Sequence, residues 1–206
     1  MNIAVIDYGL GNVRSVLNAF EYIGAQAILT RDPKHLADAD GMILPGVGAF
    51  GEGMRRLDMH QLRDPILKLV SKGRPLLGIC LGFQMLMRSS TELGTHDGLA
   101  LIEEEIIRLP VEARLPHIGW AAVTSTSESQ AKPRLLEGLE GQSFYFVHSY
   151  GLVNQGCSLP SGVALYEGCK ITALIEDGNV LGTQFHPEKS GEAGLQMLRS
   201  FMKICQ

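Results

Sequence analysis

Apolar positions along this chain follow two alternating periods. Asn2 to Asp7 is almost wholly apolar, the pattern of a strand buried on both faces. Val13, Val16, Leu17, Phe20 and Ile23 then recur at helical spacing, and the run stops at Gly24. Ala25 to Thr30 predicts a second strand, Leu36 to Asp40 a short helix, and Gly41 to Leu44 a third strand that runs into a Pro45–Gly51 loop. Met54 to Lys72 predicts one or two helices with a break near Pro65. The Pro-led run Arg74 to Ile79 predicts a buried strand, and Leu81 to Ser89, with Leu81, Met85 and Leu86 apolar, suits a helix. From Leu99 to Ala173 the pattern shortens into strands and turns; Val180 to Phe185 predicts another strand, and Gly191 to Cys205 a closing helix. Strands alternating with helices, followed by hairpins, predict an α/β fold: a mixed, mainly parallel central sheet flanked by helices. Residues 1–206 are expected to form one domain, and its functional loops should gather at the carboxyl ends of the parallel strands, where Gly46, Cys80 and His186 fall.

Candidate chemistry begins at Gly78-Ile79-Cys80-Leu81-Gly82. A cysteine on a strand-to-helix turn between two glycines is the thiol counterpart of the Gly-x-Ser-x-Gly nucleophile elbow. The glycines permit a strained backbone and close packing, and the start of the following helix favours thiolate over thiol. A cysteine in this setting can equally be an inert buried hydrophobe. Near the other end stands Gln184-Phe185-His186-Pro187-Glu188-Lys189-Ser190. Pro187 biases His186 toward extended backbone, and two residues apart in such a segment His186 and Glu188 share one side. A carboxylate there can fix the imidazole tautomer, which gives a nucleophile, a base and an orienting group. One Gly-rich loop, Gly9-Leu10-Gly11-Asn12, imitates a dinucleotide site, but its third glycine is missing and a tight turn is the simpler reading.

The motifs PGVGAF (Pro45 to Phe50), GICLGFQ (Gly78 to Gln84) and QFHPEKS (Gln184 to Ser190) resemble the class I, triad-type glutamine amidotransferases. IDYGLGNVRSV (Ile6 to Val16), PHIGW (Pro116 to Trp120) and YFVHSY (Tyr145 to Tyr150) are similar to the branch that serves as glutaminase subunit of imidazole glycerol phosphate synthase. The resemblance covers essentially the whole chain and implies a flavodoxin-like sandwich. It implies hydrolysis of glutamine to glutamate and ammonia by Cys80, His186 and Glu188. The oxyanion hole would take the Leu81 N–H, just after the nucleophile, and a second donor from the loop at Val47 and Gly48. Glycines on both sides of Val47 let that peptide rest with its carbonyl, rather than its N–H, in the site. Gly46, Gln84, Ser149 and Tyr150 match positions that hold the substrate, whereas His148 is expected to be structural. Asn12, Trp120, Tyr145 and Lys189 match positions that face the partner. That partner would be a (β/α)8 cyclase subunit, bound as a heterodimer, that receives the ammonia through an internal channel.

Two departures concern the partner rather than the triad. Ala121 stands where the family commonly has Asn after Gly-Trp, and Glu103 to Glu105 stand where a glycine-containing turn is expected. Two other readings therefore stay open: a paralogue that supplies ammonia for sugar amidation, and an inactive regulatory or binding subunit. Composition narrows the picture further. With 206 residues, 45% hydrophobic and 19% charged, and a net charge of −4, the chain is an ordinary globular one and a poor candidate for nucleic acid. No apolar run is long enough for a membrane span, and Ile3 to Ile6 reads as a strand rather than part of a leader. Cys80, Cys157, Cys169 and Cys205 have no metal-ligand spacing, so neither a metal nor any other cofactor is expected. They suit a reducing, cytoplasmic compartment.

Overall fold

The structure is a computed structural model and describes residues 1–126, 131–153 and 158–206. In chain order its elements are β1 (Asn2–Ile6), α1 (Val13–Tyr22), β2 (Gln26–Thr30), α2 (Pro33–Asp38), β3 (Gly41–Leu44), α3 (Phe50–Met59), α4 (Arg63–Ser71), β4 (Leu76–Ile79), α5 (Leu81–Met85), β5 (Met87–Ser90), β6 (His96–Asp97) and β7 (Ile102–Arg108). They continue as β8 (His117–Ala122), β9 (Thr124–Ser125), β10 (Ser143–His148), β11 (Tyr150–Gly151), β12 (Ser161–Tyr166), β13 (Cys169–Asp177), β14 (Val180–Thr183) and α6 (Gly191–Ile204). The main sheet has the order β2-β1-β3-β4-β14-β13-β12-β9. Its first five strands are parallel and the last three are added antiparallel. This is the mixed, mainly parallel sheet that the sequence implies, and its parallel part has the flavodoxin-like order with β14 as fifth strand.

Burial explains the unbroken apolar strands. In β1, Ile3 and Val5 join one core with Phe20 of α1 and Leu198 and Phe201 of α6. Ala4 and Ile6 join a second core with Leu36 of α2, Leu57 of α3 and Ile66 of α4. Both faces of the sheet are covered by helices, so both faces of each central strand must be apolar. Two smaller sheets flank this sandwich, β10-β8 and β11-β7-β5-β6. Among the described residues no helix is long and apolar enough to cross a membrane.

Three local expectations are corrected. The predicted helix over Leu81–Ser89 stops at Met85, and Met87–Ser90 is a strand. Its buried Met87, exposed Arg88 and buried Ser89 alternate, and pairing with β7 prevails over helical continuation. The break between α3 and α4 lies at residues 60–62, with Gln61 at φ 53, and not at Pro65. Pro65 sits in the first turn of α4, where its missing N–H has no helical partner to lose. Glu103 to Glu105 lie inside the continuous strand β7 and not in a turn.

Candidate active site

Order in the sheet brings three loops together. The loop after β3, the turn after β4 and the segment after β14 follow three neighbouring parallel strands. Cys80 occupies the turn after β4 with φ 55 and ψ −107, a conformation that costs a non-glycine residue about 1–3 kcal/mol. Backbone bonds hold it: its N–H donates to the Thr183 carbonyl at 2.8 Å, and its carbonyl accepts from the Gln84 N–H at 3.1 Å. The flanking glycines are steric necessities. A Cβ on Gly82 would lie 1.7 Å from the Leu44 carbonyl oxygen, and one on Gly78 would lie 2.7 Å from the Gly82 carbonyl oxygen. The helix that follows has only five residues, so the dipole available to a thiolate is smaller than a helix to Ser89 would give.

His186 and Glu188 are both buried, and His186 Nδ1 lies 2.8 Å from Glu188 Oε1. They meet through a 3-10 turn over Pro187–Lys189 rather than through an extended segment. His186 itself is extended (φ −100, ψ 96), and Pro187 opens the turn that folds the carboxylate back onto the ring. Because the carboxylate can only accept, Nδ1 carries a proton, and in the neutral ring Nε2 keeps its lone pair. That Nε2 is buried without a hydrogen-bond partner, as is Glu188 Oε2. Burial opposes the imidazolium, but the Cys80 sulfur and Glu188 outweigh it and raise the His186 pKa. The ring thus has the tautomer of a base and an environment that accepts a proton taken from the thiol.

The loop over residues 45–49 meets the turn directly. The Leu81 N–H donates to the Gly46 carbonyl at 3.4 Å. The carbonyl of the Gly46–Val47 peptide is therefore turned to the Leu81 donor, and since the peptide is planar and trans, the Val47 N–H points the opposite way. Gly48 follows at φ 111, and Val47 is exposed. Tyr8 fixes the near side of this loop. Its hydroxyl donates to the Pro45 carbonyl at 2.6 Å in a fully buried position, and burial, with Cys80 close by, raises its pKa.

The remaining substrate candidates form a polar layer in which Ser149 and Tyr150 are half-buried. Gln84 is buried and its Nε2 donates to the Tyr150 carbonyl at 2.8 Å and to Gln184 Oε1 at 3.1 Å. The Ser149 carbonyl accepts from the Leu109 N–H at 3.0 Å. Gln184, which the sequence reading passed over, points its amide nitrogen at Cys80 Sγ, 4.0 Å away. It carries no sequence signal of its own, because its contact with Cys80 spans 104 positions of the chain.

His148 belongs to the scaffold, as expected. Its Nδ1 donates to the Tyr150 carbonyl at 2.9 Å, which in the neutral His148 ring leaves Nε2 to accept from His117 Nδ1 at 3.3 Å. Burial foremost lowers the His148 pKa to about 4; the Tyr150 carbonyl pulls it up, and His117 and His186 push it down by smaller amounts. The unfolded chain takes up this proton near pH 6.5 and the folded chain only near 4. Stability conferred by neutral His148 is therefore present above pH 6.5 and is lost as pH falls, by about 3 kcal/mol at pH 4. Denaturant titrations at pH 7 and 4.5 check this: most of that loss is expected for the native chain and much less for His148→Gln.

The interface candidates share one side. Trp120 on β8 is 56% exposed and meets the Tyr145 ring edge-on at 6.0 Å, its register partner on β10. Ile118, two residues before Trp120, is 60% exposed. Lys189 is exposed beside Glu188, and Asn12 is exposed at the start of α1, which packs against the Pro187–Lys189 turn. Among the described residues no three His, Cys, Asp or Glu side chains gather as metal ligands would. Cys169 opens β13 and Cys205 ends α6 beside Gly41; Cys157 lies outside the described residues.

Comparison with known proteins agrees with this geometry. The family described as glutamine amidotransferase class-I matches residues 4–205. The subunit HisH of imidazole glycerol phosphate synthase from Methanothermobacter thermautotrophicus is 48% identical over 206 residues, 98% of each chain. The chain belongs to the HisH family of class I glutamine amidotransferases. A second member, HisH 1 of Legionella pneumophila, is 41% identical over 98% of this chain and 99% of its own. The structure of PurLQS from Thermotoga maritima shares the fold, with TM-score 0.75 at 19% identity over 100% of this chain and 99% of that one. As a HisH-family chain this protein is an amidotransferase subunit of an enzyme.

Proposed function

We propose that this subunit hydrolyses glutamine and hands the ammonia to a (β/α)8 cyclase subunit. The observation that carries this reading is the convergence of a strained, buried Cys80 with a His186 whose base nitrogen is unpaired and whose other nitrogen is held by Glu188. Cys80 Sγ attacks the side-chain carbonyl carbon of glutamine while His186 Nε2 takes the thiol proton. The tetrahedral oxyanion needs two N–H donors, the Leu81 N–H and a second from Val47–Gly48. Collapse expels ammonia, protonated by His186, and leaves a γ-glutamyl thioester on Cys80. Water, deprotonated by His186, then hydrolyses the thioester to glutamate. Gly46, Gln84, Ser149 and Tyr150 shape the pocket that holds the substrate. Gln84 and Gln184 act through the main chain of Tyr150 and through the sulfur.

The Leu81 N–H to Gly46 carbonyl bond supports a resting state with an incomplete oxyanion hole. The peptide carbonyl fills the place of the oxyanion, and Val47 turns its donor away. A partner that favours the turned peptide would complete the hole and so switch on hydrolysis only where ammonia can be used. The acceptor in the cyclase would be a phosphoribulosyl formimino-type nucleotide, which yields imidazole glycerol phosphate and an aminoimidazole carboxamide ribotide. A free catalytic thiol suits a reducing, cytoplasmic setting.

The Trp120–Tyr145 aromatic pair, with exposed Trp120 and half-buried Tyr145, and with Asn12 and Lys189 on the same side, supplies the docking face for the heterodimer. Mixing the chain with its cyclase should give a one-to-one complex that makes imidazole glycerol phosphate from glutamine. A complex that makes none from glutamine, yet does so from ammonia, would contradict the glutaminase role. Trp120→Ala with Lys189→Glu is expected to weaken association by about 2 kcal/mol or more, roughly 30-fold in Kd. Calorimetry reads this directly, and an unchanged Kd would refute the face.

A further inference from the structure

Ser190 stands at the N-cap of α6, the position where a serine hydroxyl ordinarily accepts from the free N–H groups of the first turn. Here it makes no such bond. Its Oγ donates instead to the His186 carbonyl at 2.6 Å and accepts from the Tyr145 N–H at 3.0 Å. The His186 N–H in turn donates to the Tyr145 carbonyl at 3.0 Å. The His186 N–H and carbonyl are thus tied to both main-chain polar groups of Tyr145, with the Ser190 hydroxyl as the bridge, while the His186 carbonyl also accepts from the Lys189 N–H at 3.0 Å. Leaving an available cap unmade costs a helix about 1 kcal/mol. A local rule broken at a buried position next to a reactive group marks a functional constraint. Ser190 is buried at 2% exposure, so solvent does not compete for these bonds.

The far side of the ring reaches the surface. Tyr145, whose main chain is clamped to His186, packs its side chain against exposed Trp120. We propose that Ser190 is a positioning residue: its hydroxyl fixes the His186 main chain against Tyr145, so that a partner seated on the Tyr145–Trp120 face is felt at the imidazole. This rests on the reading of His186 as the base and of that face as the docking surface. Only a group that donates and accepts at once can close the ring, and a hydroxyl is the smallest that does. Without it the Tyr145 N–H loses a buried partner, the His186 carbonyl is left with the Lys189 N–H, and the ring carrying Nε2 is held less firmly relative to Cys80.

The test uses the complex with the cyclase and the Ser190→Ala variant. The glutamine-dependent kcat should fall roughly 10–100-fold, the loss expected for a sub-ångström to ångström displacement of a reacting group. The KM for glutamine and synthesis from ammonia should not change, and activation of glutamate release by the partner should shrink. A wild-type complex that releases no glutamate would defeat the glutaminase reading itself. An active wild type with an equally active Ser190→Ala would overturn the positioning role alone. Equal losses in glutamine- and ammonia-dependent synthesis would overturn it too, by assigning Ser190 to the fold. If Ser190→Ala does not fold, Ser190→Cys fills the same volume with a weak hydrogen-bonding group and is read by the same criteria.

Discussion

Cys80→Ala is expected to abolish glutamine-dependent synthesis while the complex continues to use free ammonia. The variant removes the only atom that can form the thioester, and no neighbouring group can replace it. Among the described residues His186, Gln184 and Tyr8 interact with the sulfur, and none of them is a nucleophile toward an amide at neutral pH. Loss of the thiol also removes the partner that, with Glu188, raises the His186 pKa. The fold should survive, because the backbone bonds to Thr183 and Gln84 do not involve the side chain. Alanine at φ 55 bears the same strain as cysteine, so that term cancels. Glutamate release and ammonia-dependent product formation, measured side by side, separate the two outcomes. Glutamine turnover retained by Cys80→Ala would exclude it as nucleophile.

The free chain should be a poor glutaminase, and partner with acceptor ligand should raise its rate by about two to three orders of magnitude. One missing oxyanion donor is worth roughly 3–4 kcal/mol. In this structure the Gly46 carbonyl engages the Leu81 N–H, so the Val47 donor is the one withheld. The Pro45–Gly46 peptide on one side is anchored by the Tyr8 hydroxyl, which confines the rotation to the Gly46–Val47 plane. A β-carbon at Gly46 would lie 2.2 Å from the Tyr8 oxygen, so a side chain there is incompatible with the anchor. Rates of glutamate release by the chain alone, with cyclase, and with cyclase plus acceptor ligand check the prediction. Equal rates in all three would rule out the switch.

Much of the scaffold was legible because the sheet is buried on both faces. Uninterrupted apolar runs such as Ile3–Ile6 and Gly41–Leu44 have few alternatives to a central strand, and the chemistry-bearing loops follow from parallel order. The stretch after Cys80 was misread because Leu81, Met85 and Leu86 fit a helix, while the residues that end it, Met87 to Ser90, owe their strand to pairing with the distant β7. Pro65 looked like a break because its missing N–H matters only beyond the first turn. In the site, Cys80, His186 and Glu188 carry their own motifs. Gln184, Tyr8 and Ser190 do not, since each acts through bonds to residues remote in sequence or to main-chain atoms. A glutamine, a tyrosine and an N-cap serine have ordinary structural uses, and only tertiary contact distinguishes these from the others.

Hydrolysis of glutamine is expected to pass through a thioester on Cys80. Acid quench of the complex during turnover, with saturating glutamine and acceptor ligand, followed by peptide mass mapping, tests it most directly. A γ-glutamyl adduct on the peptide that carries Cys80, absent from Cys80→Ala and accumulating in a His186→Asn variant only if acylation outpaces hydrolysis, is the expected result. A wild-type complex that turns over glutamine with its adduct on another residue would contradict the account.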